Sequence, residues 1–165
     1  MTPILYSHLL KDEAATLRLG VFLSNWIKAG ACIALSGALA AGKSTLARAL
    51  IRNHLNDDQL AVPSPTFTLM QHYECKDLTL IHADCYRLSH AEEAYDIGLF
   101  DDLEHQAALI EWPELIMPAI KHEFKTLLWL SLTADERNQD GRILSIHACP
   151  DAFQPLLKEF INDQD

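Results

Sequence analysis

The sequence lacks the features that would place the protein in a membrane or a disulfide framework. None of its apolar runs approaches the roughly 18 residues of a membrane span, and the longest, 19–34, is broken by Ser24, Asn25, Lys28 and Gly30. Its four cysteines form no C-x-x-C pair and no zinc-binding spacing with the histidines, which indicates buried free thiols in a reducing compartment. The first residues also lack the basic start and apolar run of a signal sequence. We therefore expect a cytoplasmic protein with no membrane contact.

Basic residues are scarce as well. Lys and Arg number 13 against 23 Asp and Glu, which gives a formal net charge of −10, and no basic cluster stands out along the chain. Such a chain repels a phosphate backbone, so unaided binding to nucleic acid is disfavoured. With 165 residues, 49% of them hydrophobic, the chain is long enough for one sizeable core and short for two. We expect a single domain over 1–165.

Hydrophobic periodicity predicts strands that alternate with helices in the first half and pair locally in the second. The predicted helices are 12–29, 43–54 and 153–161, with helical pieces over 88–103 that Gly98 interrupts. The predicted strands are 31–36, 66–73, 78–83, 107–112, 124–132 and 142–147, with a loop at 56–65 and turns at 74–77 and 135–141. This order predicts an α/β fold whose central sheet is mostly parallel, with antiparallel additions.

A glycine-framed loop follows the first apolar strand and opens a helix. Residues 36–45 read S-G-A-L-A-A-G-K-S-T and meet the pattern G-x-x-x-x-G-K-[ST] at Gly37, Gly42, Lys43 and Ser44. In such a loop the backbone N–H groups and the helix N-terminus bind phosphates. Lys43 is expected to reach the β- and γ-phosphates, and the Ser44 hydroxyl to ligate Mg²⁺. The competing interpretation is a plain strand-to-helix turn with a solvated lysine.

Alanine occupies two inner positions of this loop, 38 and 40. Many residue types are acceptable at Ala38. At Ala40 a side chain costs roughly 1–2 kcal/mol relative to glycine if the loop holds this residue in a left-handed conformation. We therefore expect a nucleotide site that works but binds less tightly, and we expect glycine at position 40 to raise its affinity.

Two carboxylates follow apolar runs that are predicted to be strands. L-I-H-A-D ends at Asp84 and A-A-L-I-E ends at Glu111. Both are expected at the carboxyl edge of the sheet, where open α/β folds bind their ligands. One would hold the metal through water, and the other would orient the attacking water or accept its proton. The residues alone do not decide which acid has which role, and either could be a solvated strand-end acid.

Three other features are less specific to a nucleotide site. The S-P-T-F stretch at 64–67 is either a hydroxyl-bearing loop that closes on Mg²⁺ and γ-phosphate, as GTPase switch loops do, or a polar turn before a strand. His82 is compatible with a buried neutral histidine hydrogen-bonded to the backbone. Trp112 is compatible with a core or interface position.

Taken together, these motifs resemble those of the TsaE (YjeE) ATPases of bacterial tRNA threonylcarbamoyladenosine biosynthesis. The family order is G-x-L-x-A-G-K-[ST]-T, S-P-T-F, H-x-D-x-Y-R-L and E-W-P, found here at 37–45, 64–67, 82–88 and 111–113. Further matches are Glu92, Glu93, Gly98, Gly141 and Arg142. The resemblance spans nearly the whole chain. It departs from the usual G-D-L-G-A-G-K-T-T at Ala38, Ala40 and Ser44, of which Ser44 keeps the hydroxyl.

The resemblance implies a P-loop NTPase-like, three-layer ATPase domain that binds ATP or ADP with Mg²⁺. It implies a TsaB–TsaD heterodimer as partner, whose turnover ATP hydrolysis supports, and contact with tRNA only through that complex. By position, the nucleotide would contact Gly37, Ala38, Leu39, Ala40, Ala41, Gly42, Lys43, Ser44, Thr45, Thr16 (near the adenine) and Trp112 (beside the nucleotide or the partner). The implied metal set is Ser44, Thr66, Asp84 and Glu111. The implied catalytic set is Lys43, Asp84 and Glu111.

Two other functions and one surface stay open on the sequence. A small P-loop phosphotransferase would need an arginine-bearing lid near the γ-phosphate, for which Arg87 is available. A nucleotide-gated binding module with negligible turnover is compatible with Ala40. The acidic segment 92–104 is either a partner-facing surface or a solvated helix face.

Overall fold

The structure, a computed structural model, describes residues 3–76 and 78–163. Its strands in chain order are Tyr6–Leu10 (β1), Ala31–Ser36 (β2), Met70–Cys75 (β3), Leu78–Asp84 (β4), Gln106–Glu111 (β5), Thr126–Asp135 (β6) and Asn138–Ala148 (β7). Its α-helices are Glu13–Ser24 (α1), Lys43–Leu55 (α2), Glu93–Asp96 (α3), Met117–Glu123 (α4) and Gln154–Asn162 (α5), with a 3₁₀ helix at Glu114–Ile116.

All of these strands lie in one sheet of order β1-β7-β6-β2-β5-β4-β3. The central strands β6, β2, β5 and β4 run parallel, and β3, β7 and β1 are added antiparallel. The predicted α/β fold with a parallel centre and antiparallel flanks is therefore confirmed. Strand β2 is buried along its whole length, which explains why its sequence is a continuous apolar run without alternation.

Helices cover both faces of the sheet and make three layers. On one face, α1, α2 and α5 pack on the sheet through buried leucine and isoleucine side chains, among them Leu19, Leu46 and Leu157. On the other, α3, the 3₁₀ helix and α4 contribute buried Ala94, Ile116 and Ile120. Burying each leucine or isoleucine contributes about 1.5–3 kcal/mol.

Close contact between α1 and α2 fixes the helix that follows the glycine-framed loop. A Cβ added at Gly20 of α1 would lie 2.7 Å from the Cβ of Ala49 on α2, so only glycine permits this approach. Helix α2 begins at Lys43 as predicted and ends one residue later than predicted. Asn56 ends it at a left-handed φ of 53°, with its N–H bonded to carbonyls of the last turn.

Two predicted elements are shorter in the structure. Helix α1 ends at Ser24 instead of 29, because the Ser24 hydroxyl and the Asn25 amide both donate to the carbonyl of Val21 and compete with helix propagation. The strand predicted over 66–73 begins at Met70. A turn precedes it, in which the N–H of Leu69 donates to the carbonyl of Pro65 at 2.7 Å and Leu69 is left-handed.

Other boundaries and elements also differ from the prediction. The segment 88–103 is mostly turns with one short helix, α3, although Gly98 interrupts it as predicted at a φ of 81°. Strand β5 lies one residue earlier than predicted, and β6 and β7 form a long hairpin that includes most of the predicted 135–141 turn. Strand β1 and helix α4 were not predicted. Of the predicted 74–77 turn, Asp77 lies outside the described residues.

The cysteines are free thiols as predicted, but only Cys32 and Cys85 are buried, while Cys75 and Cys149 are half-buried. Burial raises the pKa of the Cys85 thiol to about 12, assisted by the charge of Asp84. In the part of the chain that the structure describes, no helix is both long and apolar enough to cross a membrane.

Candidate nucleotide-binding site

The predicted site residues meet at the carboxyl edge of the parallel strands. Strands β2, β4 and β5 end there at Ser36, Asp84 and Glu111. A cavity of about 200 Å³ opens at this edge, lined by 39–45, Ser64, Thr66, Asp84, Glu111, Trp112 and Arg142. The structure therefore brings together most of the residues that the sequence predicts to bind nucleotide or metal or to act in catalysis.

Backbone conformation explains the small residues of the loop. Gly37 has a φ of 141°, and a Cβ there would lie 2.4 Å from the carbonyl oxygen of Leu132 on the neighbouring strand. Gly42 has a φ of 103°. Ala40 has a left-handed backbone with a φ of 62°. The strain relative to glycine that the sequence predicts for a left-handed Ala40 therefore applies.

Lys43 is 5% exposed and is the first residue of α2, directly after Gly42. Its Nζ donates to the carbonyl oxygens of Gly37 at 2.6 Å and Ala38 at 2.9 Å. Those two residues thus face the lysine, and neither lines the cavity. Burial lowers the pKa of Lys43 from its usual value, opposed by the negative charges of Glu111, Asp84 and Glu114. The lysine is a buried cation beside carboxylates.

The start of α2 is suited to a phosphate. The N-cap residue, Gly42, has no side chain and supplies no capping hydrogen bond. The N–H groups of the first turn, from Lys43 to Thr45, therefore have no side-chain cap, and these three residues line the cavity. Helix dipole and free N–H groups together favour an anion at this position.

Asp84 and Glu111 are register partners at the ends of the parallel strands β4 and β5. The Oδ2 of Asp84 accepts from the Thr66 hydroxyl at 3.2 Å, and its Oδ1 accepts from the N–H of Tyr86 at 2.9 Å. The Oε2 of Glu111 lies 3.5 Å from the Ser44 hydroxyl. Each acid thus has one hydroxyl-bearing neighbour on the cavity side.

The S-P-T-F stretch forms a loop over the carboxyl edge of β4. The hydroxyls of Ser64 and Thr66 are 2.9 Å apart, and Thr66 links this pair to Asp84. Phe67 points outward, 85% exposed, with the guanidinium of Arg87 at 5.5 Å from its ring centroid. The Thr66 hydroxyl of this loop therefore faces Asp84, whereas the Phe67 side chain faces solvent.

Trp112 follows β5 and partly covers Lys43. Its backbone is left-handed at a φ of 55°, and its N–H donates to the carbonyl of Leu35 at 3.1 Å. The Nζ of Lys43 lies 4.2 Å from the centroid of its ring. Tyr86 also packs against Trp112, with ring centroids 4.8 Å apart. The half-buried indole is part of the cavity wall, so it is not a core side chain.

Thr16 is not in this cavity. It is buried on α1 and lines a separate recess of about 70 Å³ with Glu13, Thr45, Asp140 and Arg142. The recess adjoins the loop through Gly42 and Thr45, which border both spaces.

Three residues of the site were missed or misread on the sequence. The sequence is compatible with a hydrogen bond from His82 to the backbone, but the Nε2 of His82 lies 2.8 Å from the Oε1 of Glu111. Arg142, noted without a role, donates from Nε to the carbonyl of Ala41 at 3.1 Å and from Nη1 to the carbonyls of Gln139 and Gly141. Glu114, not noted, adds a third negative charge near Lys43. The H-x-D spacing was the one signal for His82, because it puts His82 and Asp84 on one face of a strand.

The side chains around the cavity fit Mg²⁺. Oxygen atoms are its preferred ligands, and Mg²⁺ is usually held by one or two carboxylates, waters and substrate phosphates. The hydroxyls of Ser44 and Thr66 and the carboxylates of Asp84 and Glu111 supply such oxygens. No group of three or more His, Cys, Asp or Glu side chains within 3–76 and 78–163 could hold a metal by itself. A substrate phosphate would complete the coordination.

Comparison with known proteins gives the family. The family model described as "Threonylcarbamoyl adenosine biosynthesis protein TsaE" matches residues 10–143, which include every motif described above. The chain belongs to the TsaE family. The resemblance inferred from the motifs is thereby confirmed.

Relatives with the name "tRNA threonylcarbamoyladenosine biosynthesis protein TsaE" support this membership. The Rickettsia bellii protein is 33% identical over 138 residues, 84% of this chain and 92% of the relative. The Rickettsia conorii protein is 36% identical over 109 residues, 66% of this chain, and the match spans only 62% of that relative. The crystal structure of Bacillus subtilis YdiB superposes with a TM-score of 0.67 at 21% identity, covering 97% of this chain and 96% of YdiB. That likeness supports the fold of this TsaE family member.

Proposed function

We propose that residues 1–165 form a single P-loop ATPase domain that binds ATP or ADP with Mg²⁺ and hydrolyses ATP. The observation that carries this proposal is the meeting of Lys43, Ser44 and Glu111 in one cavity at the carboxyl edge of the sheet. The glycine-framed loop and the uncapped start of α2 supply the phosphate site.

Each predicted residue has a role in this proposal. The loop 37–45 binds the phosphates, with Lys43 moving from its loop carbonyls to the β- and γ-phosphates. Trp112 borders the nucleotide, and Thr16 approaches the adenine in the recess beside Thr45. The metal-binding oxygens belong to Ser44, Thr66, Asp84 and Glu111.

The two acids divide the chemistry. Bound Mg²⁺ would neutralise charge that develops on the phosphates. Asp84, which accepts a hydrogen bond from Thr66, would hold the metal, and Glu111 would orient the attacking water and accept its proton. The water oxygen bonds to the γ-phosphorus while the bond to the β–γ bridging oxygen breaks, and that electron pair leaves with ADP.

In the cell, this ATPase would serve threonylcarbamoyladenosine modification of tRNA beside the anticodon. Family membership supports this role. The partner would be a TsaB–TsaD complex whose turnover depends on ATP hydrolysis, and the protein would work in the cytoplasm. A net charge of −10 favours indirect contact with tRNA, through the partner complex. The exposed acids of 92–104 form a surface available to that complex.

The two alternatives make different demands on the cavity. A phosphotransferase would need a cationic lid, yet the guanidinium of Arg87 lies over the exposed Phe67 ring and does not line the cavity. A binding module with negligible turnover remains compatible with the left-handed Ala40. Arg142 does line the cavity, but carbonyl oxygens of its own hairpin and of the loop engage it.

The test is the rate of ATP hydrolysis by the protein alone and then with TsaB–TsaD and tRNA. We expect a low rate alone and a clear rise in the complex. A rate indifferent to the partners, or transfer of phosphate to a small acceptor, would overturn the assignment. ATP binding without hydrolysis, both by the protein alone and in the complex, would favour the binding module.

A further inference from the structure

We infer that His82 is a positioning residue that holds Glu111 in its working orientation through a buried hydrogen bond. This inference rests on the proposed ATPase function, because it assigns a role through the acid that handles water. The ring Nε2 of His82 and the Oε1 of Glu111 are 2.8 Å apart. Both residues are buried, at 1% and 2% exposure.

The pairing follows from the register of two parallel strands. His82 lies opposite Leu109 on β5, and Asp84 lies opposite Glu111. Side chains two residues apart point to the same face of a strand, so His82 and Glu111 are diagonal neighbours on one face. That face is the one covered by α2, since Leu109 belongs to the core beneath α1, α2 and α5. The strand pairing therefore places the His82 ring next to the Glu111 carboxylate.

The hydrogen bond has a defined direction. A carboxylate accepts and cannot donate, so the ring must carry its proton at Nε2. The other ring nitrogen, Nδ1, is buried without a hydrogen-bond partner among the described residues. A proton there would be a buried donor with no acceptor, which is unfavourable. The geometry thus places a proton on Nε2, between the ring and Glu111.

The consequence falls on the two oxygens of Glu111. Oε1 is engaged by His82, so Oε2 is the oxygen turned to the Ser44 hydroxyl at 3.5 Å and to the cavity. Asp84 is oriented differently, by the N–H of Tyr86 and the hydroxyl of Thr66. A flexible glutamate side chain without its anchor would populate several rotamers, and few of them would aim an oxygen at the attacking water.

The first experiment compares His82→Leu with His82→Gln in single-turnover hydrolysis. The full chain is in excess over ATP, and Mg²⁺ is present. Leucine removes the donor, and glutamine keeps an N–H at a similar reach. We expect His82→Leu to lose on the order of 10- to 100-fold in rate, typical of residues that orient a functional ligand, with ATP affinity unchanged. His82→Gln should recover most of the rate. His72→Leu is the matched control, because His72 is exposed on β3.

A double variant separates positioning from general damage. In a Glu111→Gln background, His82→Leu should cause no further loss, because residues that act as a unit are not additive. Wild-type turnover in His82→Leu, or additive losses in the double variant, would overturn the inference. If Glu111→Gln abolishes turnover while His82→Leu does not, only the role of His82 fails and the ATPase assignment stands.

The pairing itself is measurable without turnover. Nitrogen-15 NMR of the histidine rings should show His82 protonated at Nε2, with a signal that shifts when Glu111 is replaced by alanine. A His82 signal indifferent to Glu111→Ala, or an Nε2 that carries no proton, would overturn the inference even if ATP were never hydrolysed.

Discussion

The ammonium group of Lys43 lies 4.2 Å from the centre of the Trp112 ring, in cation–π contact. The same ammonium donates to two carbonyl oxygens of its own loop. Trp112 keeps this position with a left-handed backbone, a conformation that costs a bulky residue of order 1–3 kcal/mol and recurs at functional sites. A lysine that moves to phosphate must leave the indole, so the indole should report nucleotide binding.

Tryptophan fluorescence should therefore change when ATP and Mg²⁺ are added, and Trp112→Phe should remove most of that change. Trp26→Phe is the control, because Trp26 does not line the cavity and packs against Phe153 in the core that α1, α2 and α5 cover, with ring centroids 5.3 Å apart. A full response in Trp112→Phe would mean that Lys43 and its indole neighbour do not respond to the nucleotide.

Ala40→Gly should raise the affinity for ATP. The left-handed Ala40 carries strain of roughly 1–2 kcal/mol relative to glycine, and about 1.4 kcal/mol corresponds to a factor of ten in affinity. We expect a gain of up to about tenfold by calorimetric titration. Ala38→Gly, in the same loop but not at positive φ, should show no such gain. Equal affinities for Ala40→Gly and the wild type would contradict the prediction.

Arg142→Ala should weaken ATP binding, because Arg142 ties the β6–β7 hairpin to the loop through the Ala41 carbonyl. Hydrogen bonds from a charged donor contribute about 1.5–3 kcal/mol each, so a loss of about tenfold or more in affinity is expected. Arg142→Lys should rescue poorly, since an ammonium cannot reproduce the fork. Arg137→Ala, exposed in the same hairpin, is the control. Unchanged affinity in Arg142→Ala would show that the loop keeps its shape unaided.

Thr66→Val should raise the Mg²⁺ concentration needed for half-maximal hydrolysis. The valine keeps the shape of the side chain and removes the hydroxyl that donates to Asp84. Loss of such a ligand or its support typically costs on the order of 10- to 100-fold in metal affinity. Ser64→Ala is the matched control, because Ser64 contacts Thr66 and has no hydrogen bond to Asp84. A Mg²⁺ dependence identical to that of the wild type would remove Thr66 from the metal site.

Local patterns predicted the centre of this fold, and non-local pairing escaped them. Strand β2, the loop and α2 are contiguous, so periodicity and a glycine motif were enough. Strand β1 exists only through pairing with β7, where Tyr6 lies opposite Ile146 in a distant part of the sequence. Its short sequence, Y-S-H-L-L, carries no independent strand signal.

For the site as well, local patterns in the sequence were sufficient to predict single residues, whereas contacts between distant strands were not predicted. Asp84 and Glu111 were placed correctly because each ends an apolar run, and the parallel register then brings them together. The bond between His82 and Glu111 depends on that register and could not be read from either strand alone. Thr66 was predicted to begin a strand, whereas the turn closed by Pro65 and Leu69 turns its hydroxyl to Asp84.

Hydrolysis by Glu111→Gln tests the central claim most directly. The measurement is single-turnover ATP hydrolysis beside calorimetric ATP affinity, for the wild type, Glu111→Gln and Asp84→Asn. Removing a general base typically costs on the order of 10²–10⁴ in rate, so Glu111→Gln should lose at least about 100-fold while its ATP affinity stays at the wild-type value. Asp84→Asn should weaken Mg²⁺-dependent binding. If Glu111→Gln turns over like the wild type, or if Asp84→Asn instead loses turnover with binding intact, Glu111 is not the acid that handles water.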